Sequence, residues 1–361
     1  MKFNDKQFSQ FNGRKISLEV FGASHAKEIG VIAKGFKGER FDKDKLQKFM
    51  DRRKPKSTAY STKRKEGDQP IFTCGEKNGL LKNKFKAVIL NSDQRSVDYK
   101  NTVKTPRPSH ADFVAWTKYG DGFDYRGGGK FSGRLTAPIC IAGGIAKQVL
   151  EDKGIKIDAY ILSIGKASGK GVNQVENLDE SLNNLSCNFP VLDKESEKPM
   201  MEEVESARLD GDSVGGVIEC VIRGVPVGVG EYMFDSLESV ISQLAFAVPA
   251  VKGIEFGSGF ELAKMRGSQA NDSFYYDENS VVKTKTNHNG GINGGMANGM
   301  PITFRVVIKP TPSIAKEQDT VDLKERSNVK LKIAGRHDAC IVPRAVPVIE
   351  AISALAIYDS L

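Results

Sequence analysis

Helical and strand-like segments follow one another in this chain without the regular strand–helix–strand alternation that a doubly wound parallel sheet requires. Strand-like runs occupy Ile16 to Phe21, Pro70 to Cys74, Phe85 to Leu90, Ile155 to Ile164, Gly216 to Arg223 and Ile302 to Lys309. Helical spacing falls after Asp42, from Ala137 to Asp152, and over Met201 to Leu209, Asp235 to Ala247 and Val342 to Ile357. Several strands thus stand together between helices, which predicts an α+β fold with antiparallel sheets. No low-complexity linker and no short repeat divides the 361 residues, so a single domain is expected.

Local signals sharpen that outline. Asp42 has the chemistry of a helix N-cap. Leu46, Phe49 and Met50 follow it at the spacing of a buried helical stripe. Pro55 after Arg52-Arg53-Lys54 ends that helix, and Gly154 stops the one beginning near Ala137. Lys56 to Lys65 reads as an exposed basic loop. Arg107 to Lys130 is too rich in Gly, Pro and polar residues to be regular throughout.

The chain has no apolar run near the roughly 20 residues that span a bilayer, and Met1-Lys2-Phe3-Asn4-Asp5 lacks a signal-peptide core. A membrane span and secretion are not expected. Five widely separated cysteines, with no CxxC pair, fit a reducing cytoplasm and free thiols, and no metal site is expected. The formal charge of +8 admits a lysine-rich solvated surface or a cationic funnel for an anion. Basic residues interleaved with aromatics and recognisable reading modules are both missing from the sequence. Nucleic acid is therefore disfavoured against a small phosphorylated or carboxylated ligand.

All four histidines lie in polar, loop-like text: His25 after Gly22-Ala23-Ser24, His110 in Arg107-Pro108-Ser109-His110-Ala111-Asp112, His288 in Asn287-His288-Asn289-Gly290-Gly291, and His337 in Gly335-Arg336-His337-Asp338. Imidazole titrates near neutrality, so the pattern points to one polar site assembled from distant loops. Gly127-Gly128-Gly129 would let backbone approach a ligand without Cβ obstruction. Ser132, Arg134 and Thr136 then stand before a helix N-terminus, a favourable place for an anion. Lys309-Pro310-Thr311-Pro312-Ser313, at a strand end, could grip a phosphate. Taken alone, it reads as a strand-to-loop transition.

Two lookalikes are set aside. Gly165 to Lys170 has phosphate-loop flavour but wrong glycine spacing and no hydroxyl after Lys170. Gly211 to Gly216 resembles a serine-protease loop, but Val214 interrupts it.

Several blocks in order resemble chorismate synthases over most of the chain, from Phe21 to about Asp359. They are Asp93-Gln94-Arg95-Ser96 with Asp98-Tyr99, Arg107 to Asp112, Lys118-Tyr119-Gly120, Asp124 to Gly129, Gly211 to Gly216, Ala250-Val251-Lys252-Gly253, Lys309-Pro310-Thr311 and Gly335 to Asp338. The resemblance implies a β-α-β sandwich, with central helices between antiparallel sheets, usually assembled as a homotetramer. It implies elimination of phosphate from 5-enolpyruvylshikimate 3-phosphate with reduced FMN. His25 would protonate the departing phosphate, His110 would serve the flavin, and Asp338 would act with the flavin N5 in removing the proton. These are acid–base tasks suited to those side chains.

A phosphorylated dicarboxylate substrate calls for guanidinium forks. Arg53, Arg134 and Arg336 are the candidates, with Ser24 and Ser132 as hydroxyl partners. For FMN the resemblance points to Lys130, Phe131, Ser132, Ala250, Gly294, Lys309, Pro310, Thr311, Pro312, Ser313 and Arg336. It also brings NADP among the family's attributes, but no dinucleotide fingerprint is evident. An external flavin reductant is expected. His288 and His337 receive no proton-transfer role and read as loop scaffolding.

The chain departs from the family pattern in places. Ala23 and Ala26 replace a Glu and a Gly around His25, Ser109 replaces a glycine, and Lys130 and Phe131 stand for Arg and Ser. Ala59 stands for an arginine that Lys56, Lys63 or Arg64 would have to replace. Leu81 to Phe85 replaces a run of small residues. Ala23, Ala59 and Phe131 motivate an alternative, a non-catalytic flavin- or polyanion-binding relative. The basic charge alone motivates a weaker one, an RNA-binding protein.

Overall fold

Two five-stranded antiparallel sheets enclose a layer of helices in the computed structural model, which describes residues 9–54, 67–91, 104–120, 123–333 and 338–361. The predicted basic loop at Lys56 to Lys65, with Ala59, lies outside the described residues. So do Asp93 to Tyr99 and Gly335 to His337.

The first sheet contains β1 (Ser9–Asn12), β2 (Ser17–Gly22), β3 (Glu28–Lys34), β4 (Ile71–Lys77) and β5 (Leu80–Leu90), in the order β1-β2-β3-β5-β4. The second begins with β6 (Lys156–Ile164), β7 (Ala167–Ser168), β8 (Gly216–Arg223) and β9 (Val251–Phe256). Two short ribbons intervene, β10 (Phe274–Tyr276) with β11 (Val282–Thr284) and β12 (Ile292–Asn293) with β13 (Met296–Ala297). Then β14 (Ile302–Ile308) completes the second sheet in the order β7-β6-β8-β14-β9. A last ribbon pairs β15 (Gln318–Asp322) with β16 (Ser327–Leu331).

The helices are α1 (Lys43–Arg53), α2 (Asp112–Tyr119), α3 (Thr136–Glu151), α4 (Leu178–Asn183), α5 (Glu197–Leu209), α6 (Leu237–Phe246), α7 (Gly267–Ala270) and α8 (Val342–Ser360). Asp42 caps α1 as its chemistry dictates, accepting from the amides of Asp44 and Lys45. Leu46, Phe49 and Met50 form its buried face. Most residues of α3 and α8 are buried. Gly143 lets them touch, because a Cβ there would lie 2.5 Å from the Cβ of Ala351. A single apolar cluster runs from Ile29 and Val31 in the first sheet, through Ile141 and Ile352 in the helices, to Ile218 and Phe304 in the second. Burial of each such side chain contributes about 1.5–3 kcal/mol. The predicted α+β sandwich with central helices is therefore the architecture observed.

Several elements escaped the sequence reading, β3, β9 and α2 among them. β3 is buried at Ile29, Gly30 and Val31 in succession, so it lacks the alternation that marks a half-exposed strand. β9 follows Ala250, a non-glycine residue at φ 75°. α2 hides among prolines and glycines, with no side-chain cap at Ala111. In addition, α5 starts a turn before the predicted Met201.

The topology gathers polar loops at one end. In the first sheet, β2 ends and β3 begins around Ala23 to Lys27, β5 ends just before Asn91, and β4 begins just after Asp68. In the second, Ile308 pairs with Gly216, and the amide of Lys309 donates to the carbonyl of Ala250 at 2.9 Å. Helix α1 ends there at Arg53, while α3 and α8 begin there.

Candidate active site

The triple glycine joins two of the histidines. Gly127, Gly128 and Gly129 all have positive φ, at 58°, 84° and 56°. A Cβ at Gly127 would sit 2.6 Å from the His25 ring and 2.7 Å from Ser24 Oγ. One at Gly128 would sit 3.4 Å from His110 Nε2. The amide of Ser24 donates to the carbonyl of Gly129 at 3.1 Å, tying the first histidine loop to this turn. Side chains at Gly127 and Gly128 would fill the ground between the two imidazoles, whereas one at Gly129 would meet the carbonyl of Asp124 and the Phe123 ring. His25 and Ser24 are both buried, and among the described residues Ser24 Oγ has no hydrogen-bond partner.

A polar chain leads away from the His25 loop. Asn91 Nδ2 donates to the carbonyl of Ala26 at 2.8 Å, and its Oδ1 accepts from Arg134 Nε at 3.1 Å. Arg134 also pairs with Asp68, which accepts from Arg53 Nε at 3.0 Å. Burial would raise the Asp68 carboxyl, but the charges of Arg53 and Arg134 overcome that and hold it below the ordinary carboxylate range. The carbonyl of Arg53 accepts from Arg344 Nε at 3.1 Å, and Arg344 pairs with Asp338 Oδ2 at 2.9 Å. Thr311 Oγ1 closes on the backbone carbonyl of Asp338 at 2.9 Å.

From Thr311 the chain returns to His110. Ser313 Oγ accepts from Arg107 at 3.0 Å, and Arg107 grips Asp112 through Nε at 2.7 Å. Asp112 Oδ1 lies 2.6 Å from His110 Nδ1. Lys309 Nζ donates to the carbonyl of Ser109 at 3.3 Å. Desolvation, with the nearby Lys252 charge, lowers the Lys309 ammonium from its ordinary value. The N-termini of α3 and α8 add their positive dipole ends to this cationic surround.

The structure thus brings Ser24, His25, Arg53, His110, Ser132, Arg134, Ala250, Lys309 to Ser313 and Asp338 to one end of the fold. Ser132 Oγ accepts from the amide of Arg134 at 3.3 Å, in front of α3. Lys130 and Phe131 turn elsewhere: Lys130 Nζ sits 4.0 Å over the Tyr119 ring, and Phe131 packs 5.6 Å from Phe123. Gly294 is not brought in. It forms the turn between β12 and β13, at the end of β14 opposite Lys309, and a seven-residue strand of about 3.3 Å per residue separates the two. His288 shares that far end, where its Nδ1 lies 2.8 Å from Ser258 Oγ. Arg336 and His337 fall outside the described residues.

Ala26 is not among the residues of positive φ, so its replacement of glycine strains nothing there, whereas Ser109 has φ 58°. Ser213, of the protease lookalike, donates its hydroxyl to the carbonyl of Thr311 at 2.7 Å. Asp68, Asn91, Arg107, Asp112 and Arg344 were missed as working residues. Arg107 and Asp112 flank His110 closely enough in sequence to have signalled an orienting pair. Asp68 offered no signal before the fold placed it between two arginines.

Similarity of sequence along nearly the whole chain decides the family. The family model described as chorismate synthase matches residues 16–361. The chain belongs to the chorismate synthase family. Its enzymes are lyases of aromatic amino-acid biosynthesis. The chorismate synthase of Thermococcus kodakarensis is 45% identical over 351 residues, covering 97% of this chain and 96% of the relative. That of Korarchaeum cryptofilum is 42% identical, covering 96% of each chain. A crystal structure of chorismate synthase matches with a TM-score of 0.73 at 24% identity, over 97% of this chain and 92% of the other.

Proposed function

We propose that this chain catalyses the anti-1,4-elimination of phosphate from 5-enolpyruvylshikimate 3-phosphate, giving chorismate, with reduced FMN as cofactor. The observation that carries the reading is the placing of His25 and His110 against adjacent glycines, within a ring of guanidinium groups. The reaction removes one C–H proton and one phosphate, and forms a second ring double bond without net oxidation. It needs an acid for the leaving group, an acceptor for the proton and cations for the anionic substrate.

Each requirement has a residue. His25, buried beside the Ser24 hydroxyl, donates the proton that neutralises the departing phosphate. Asp338, held by Arg344, provides the carboxylate on the path of the ring proton. Arg53, Arg134 and Arg336 bind the phosphate and carboxylates, with Ser24 and Ser132 as hydroxyl donors.

The residues present suit a flavin mononucleotide. Lys309 to Ser313 offers an ammonium and two hydroxyls at a strand end, Ala250 lies beside it, and the glycine turn leaves room that a Cβ would take. Gly294 would have to contribute from another chain of an assembled homotetramer. When bound, reduced FMN supplies electron density that the reacting ring borrows and returns. His110 Nε2, facing Gly128, holds the proton that serves it.

The chain is read as one chorismate synthase-like domain over 1–361, cytoplasmic, and dependent on an external flavin reductant. Support for the single unit comes from the apolar cluster shared by both sheets and the helices. Among the described residues no helix is long and apolar enough to cross a membrane. Anaerobic incubation of the purified protein with reduced FMN and 5-enolpyruvylshikimate 3-phosphate should yield chorismate. Flavin binding without turnover would overturn the proposal in favour of a non-catalytic relative.

A further inference from the structure

The ring of His110 is held by a charged side-chain pair. Its Nδ1 lies 2.6 Å from Asp112 Oδ1 and 3.1 Å from an Arg107 nitrogen. A carboxylate only accepts and a guanidinium only donates. The shorter contact therefore requires a proton on Nδ1, which in turn bars Arg107 from donating to that nitrogen. Arg107 donates to Asp112 instead, through Nε at 2.7 Å and a terminal nitrogen at 2.9 Å, and its other terminal nitrogen reaches Ser313 Oγ at 3.0 Å.

We propose that Asp112 and Arg107 are positioning residues that fix the tautomer and charge of His110 and lock it to the Lys309–Ser313 segment. With Nδ1 committed to Asp112, Nε2 is the nitrogen left to exchange a proton, and it is the one that faces Gly128. Asp112 and Arg107 are buried, so solvent screens this pair little. Burial pushes the Asp112 carboxyl up, but hydrogen bonds from Arg107 and His110 bring it far below the usual carboxylate range. It is therefore an anion throughout the working pH range and stabilises the imidazolium.

The charged groups around His110 act in opposite senses. Asp112 favours the protonated ring. Arg107 in the same loop, Lys309 from the end of β14 and His25 across the glycine turn, when protonated, disfavour it. Removing Asp112 therefore leaves the cations unopposed. An Asn at 112 can also turn its amide nitrogen toward Nδ1, which moves the ring proton to Nε2 and reverses the tautomer.

This rests on the proton role assigned to His110 above, and the test separates the two. The full chain carries four histidines, so ¹⁵N-histidine spectra are tractable, and His110→Gln identifies the His110 signals. Wild-type and Asp112→Asn proteins are titrated without flavin from about pH 5 to about pH 9. In Asp112→Asn the His110 titration should fall by about one pH unit or more, with the tautomer switched to Nε2–H. Turnover should fall about tenfold to a hundredfold at little change in KM, and its alkaline limb should move down with the titration. Asp112→Glu should restore part of both. Arg107→Lys, which cannot span Asp112 and Ser313 together, should weaken the quenching of FMN fluorescence on binding. A His110 titration that moves by less than about 0.3 pH unit in Asp112→Asn, with the tautomer kept, would overturn the positioning role. A titration that moves while His110→Gln retains full turnover upholds the positioning and overturns the proton role given to His110.

Discussion

The two ends of β14 carry loops of similar glycine-rich composition and put them to different uses. At the Lys309 end, a Cβ on Gly127 would strike the His25 side chain. At the far end, a Cβ on Gly290 would lie 2.4 Å from the amide nitrogen of Gly257, and one on Gly291 2.5 Å from the carbonyl of Pro301. The first set of glycines makes room among side chains that do chemistry. The second lets backbone lie against backbone. The acids divide in the same way: Asp68 separates two buried guanidiniums, whereas Asp272 accepts from the amides of His288 and Asn289. Composition does not separate a site from a scaffold; what the missing Cβ would have touched does.

The histidines offer the strongest way to break that contrast. His110→Ala and Asp338→Ala should each lower kcat by about 10²–10⁴-fold with the fold intact by circular dichroism. His288→Ala should leave kcat within a few-fold and lower Tm instead, because its ring pairs with Ser258 and its loop is held by Asp272. A His288 variant as inactive as the His110 variant would erase the distinction between the two ends.

The buried acid at the near end comes next. Replacing Asp68 with Ala removes the carboxylate shared by the buried Arg53 and Arg134 guanidiniums and should destabilise the protein by about 3–5 kcal/mol in urea unfolding. Its pH dependence has a definite sign. The folded-state carboxyl titrates below its unfolded value, so its contribution is complete above about pH 4 and is lost as pH falls below that. Asp272 is also lowered, its burial outweighed by hydrogen bonds from Thr286, Asn289 and His288, and should lose its share in the same window. Melts recorded between neutrality and acid should show Asp68→Asn flattening the acid loss more than Asp272→Asn.

Glycine substitution then sharpens the contrast directly. Both Gly127 and Gly290 have positive φ, so alanine at either costs about 1–2 kcal/mol in backbone strain. Gly127→Ala must also displace His25 and should cut kcat by about a hundredfold or more. Gly290→Ala meets backbone that cannot rotate away, so its loss should appear in stability, with the kcat of the folded fraction kept.

Much of the fold was legible in the sequence because caps and periodicity are local. Asp42, Gly154 and the stripe of Leu46, Phe49 and Met50 announce themselves over a few residues. β3 was hidden because burial on both faces removes the alternation that identifies a strand. Among site residues, His25, His110, Arg134 and Asp338 were visible as motif members in a recognisable order. Asp68 and Asn91 were not, since their partners lie far away in sequence, as with Arg53 and Asp68, 15 positions apart; Arg344 pairs with Asp338 six positions away but also reaches Arg53 across 291. Gly294 shows the converse, a motif residue that one folded chain leaves far from the rest.

The smallest expected effect tests the backbone on which His110 is mounted. Ser109 occupies φ 58°, where an L-residue pays about 1–2 kcal/mol, and its carbonyl receives Lys309 Nζ. Glycine would remove that strain but would also enlarge the entropy of the unfolded chain, worth about 0.4–1 kcal/mol in the other direction. The strain term is the larger, so Ser109→Gly should stabilise the protein by about 0.5 kcal/mol, a rise in Tm of about 1 °C for a chain of this length. The hydrogen bond from Lys309 goes to the backbone and survives the change, so kcat should hold. A fall in kcat with the gain in stability would mean that the serine holds the His110 loop in a posture glycine releases, and that strain at the near end serves the chemistry rather than merely accompanying it.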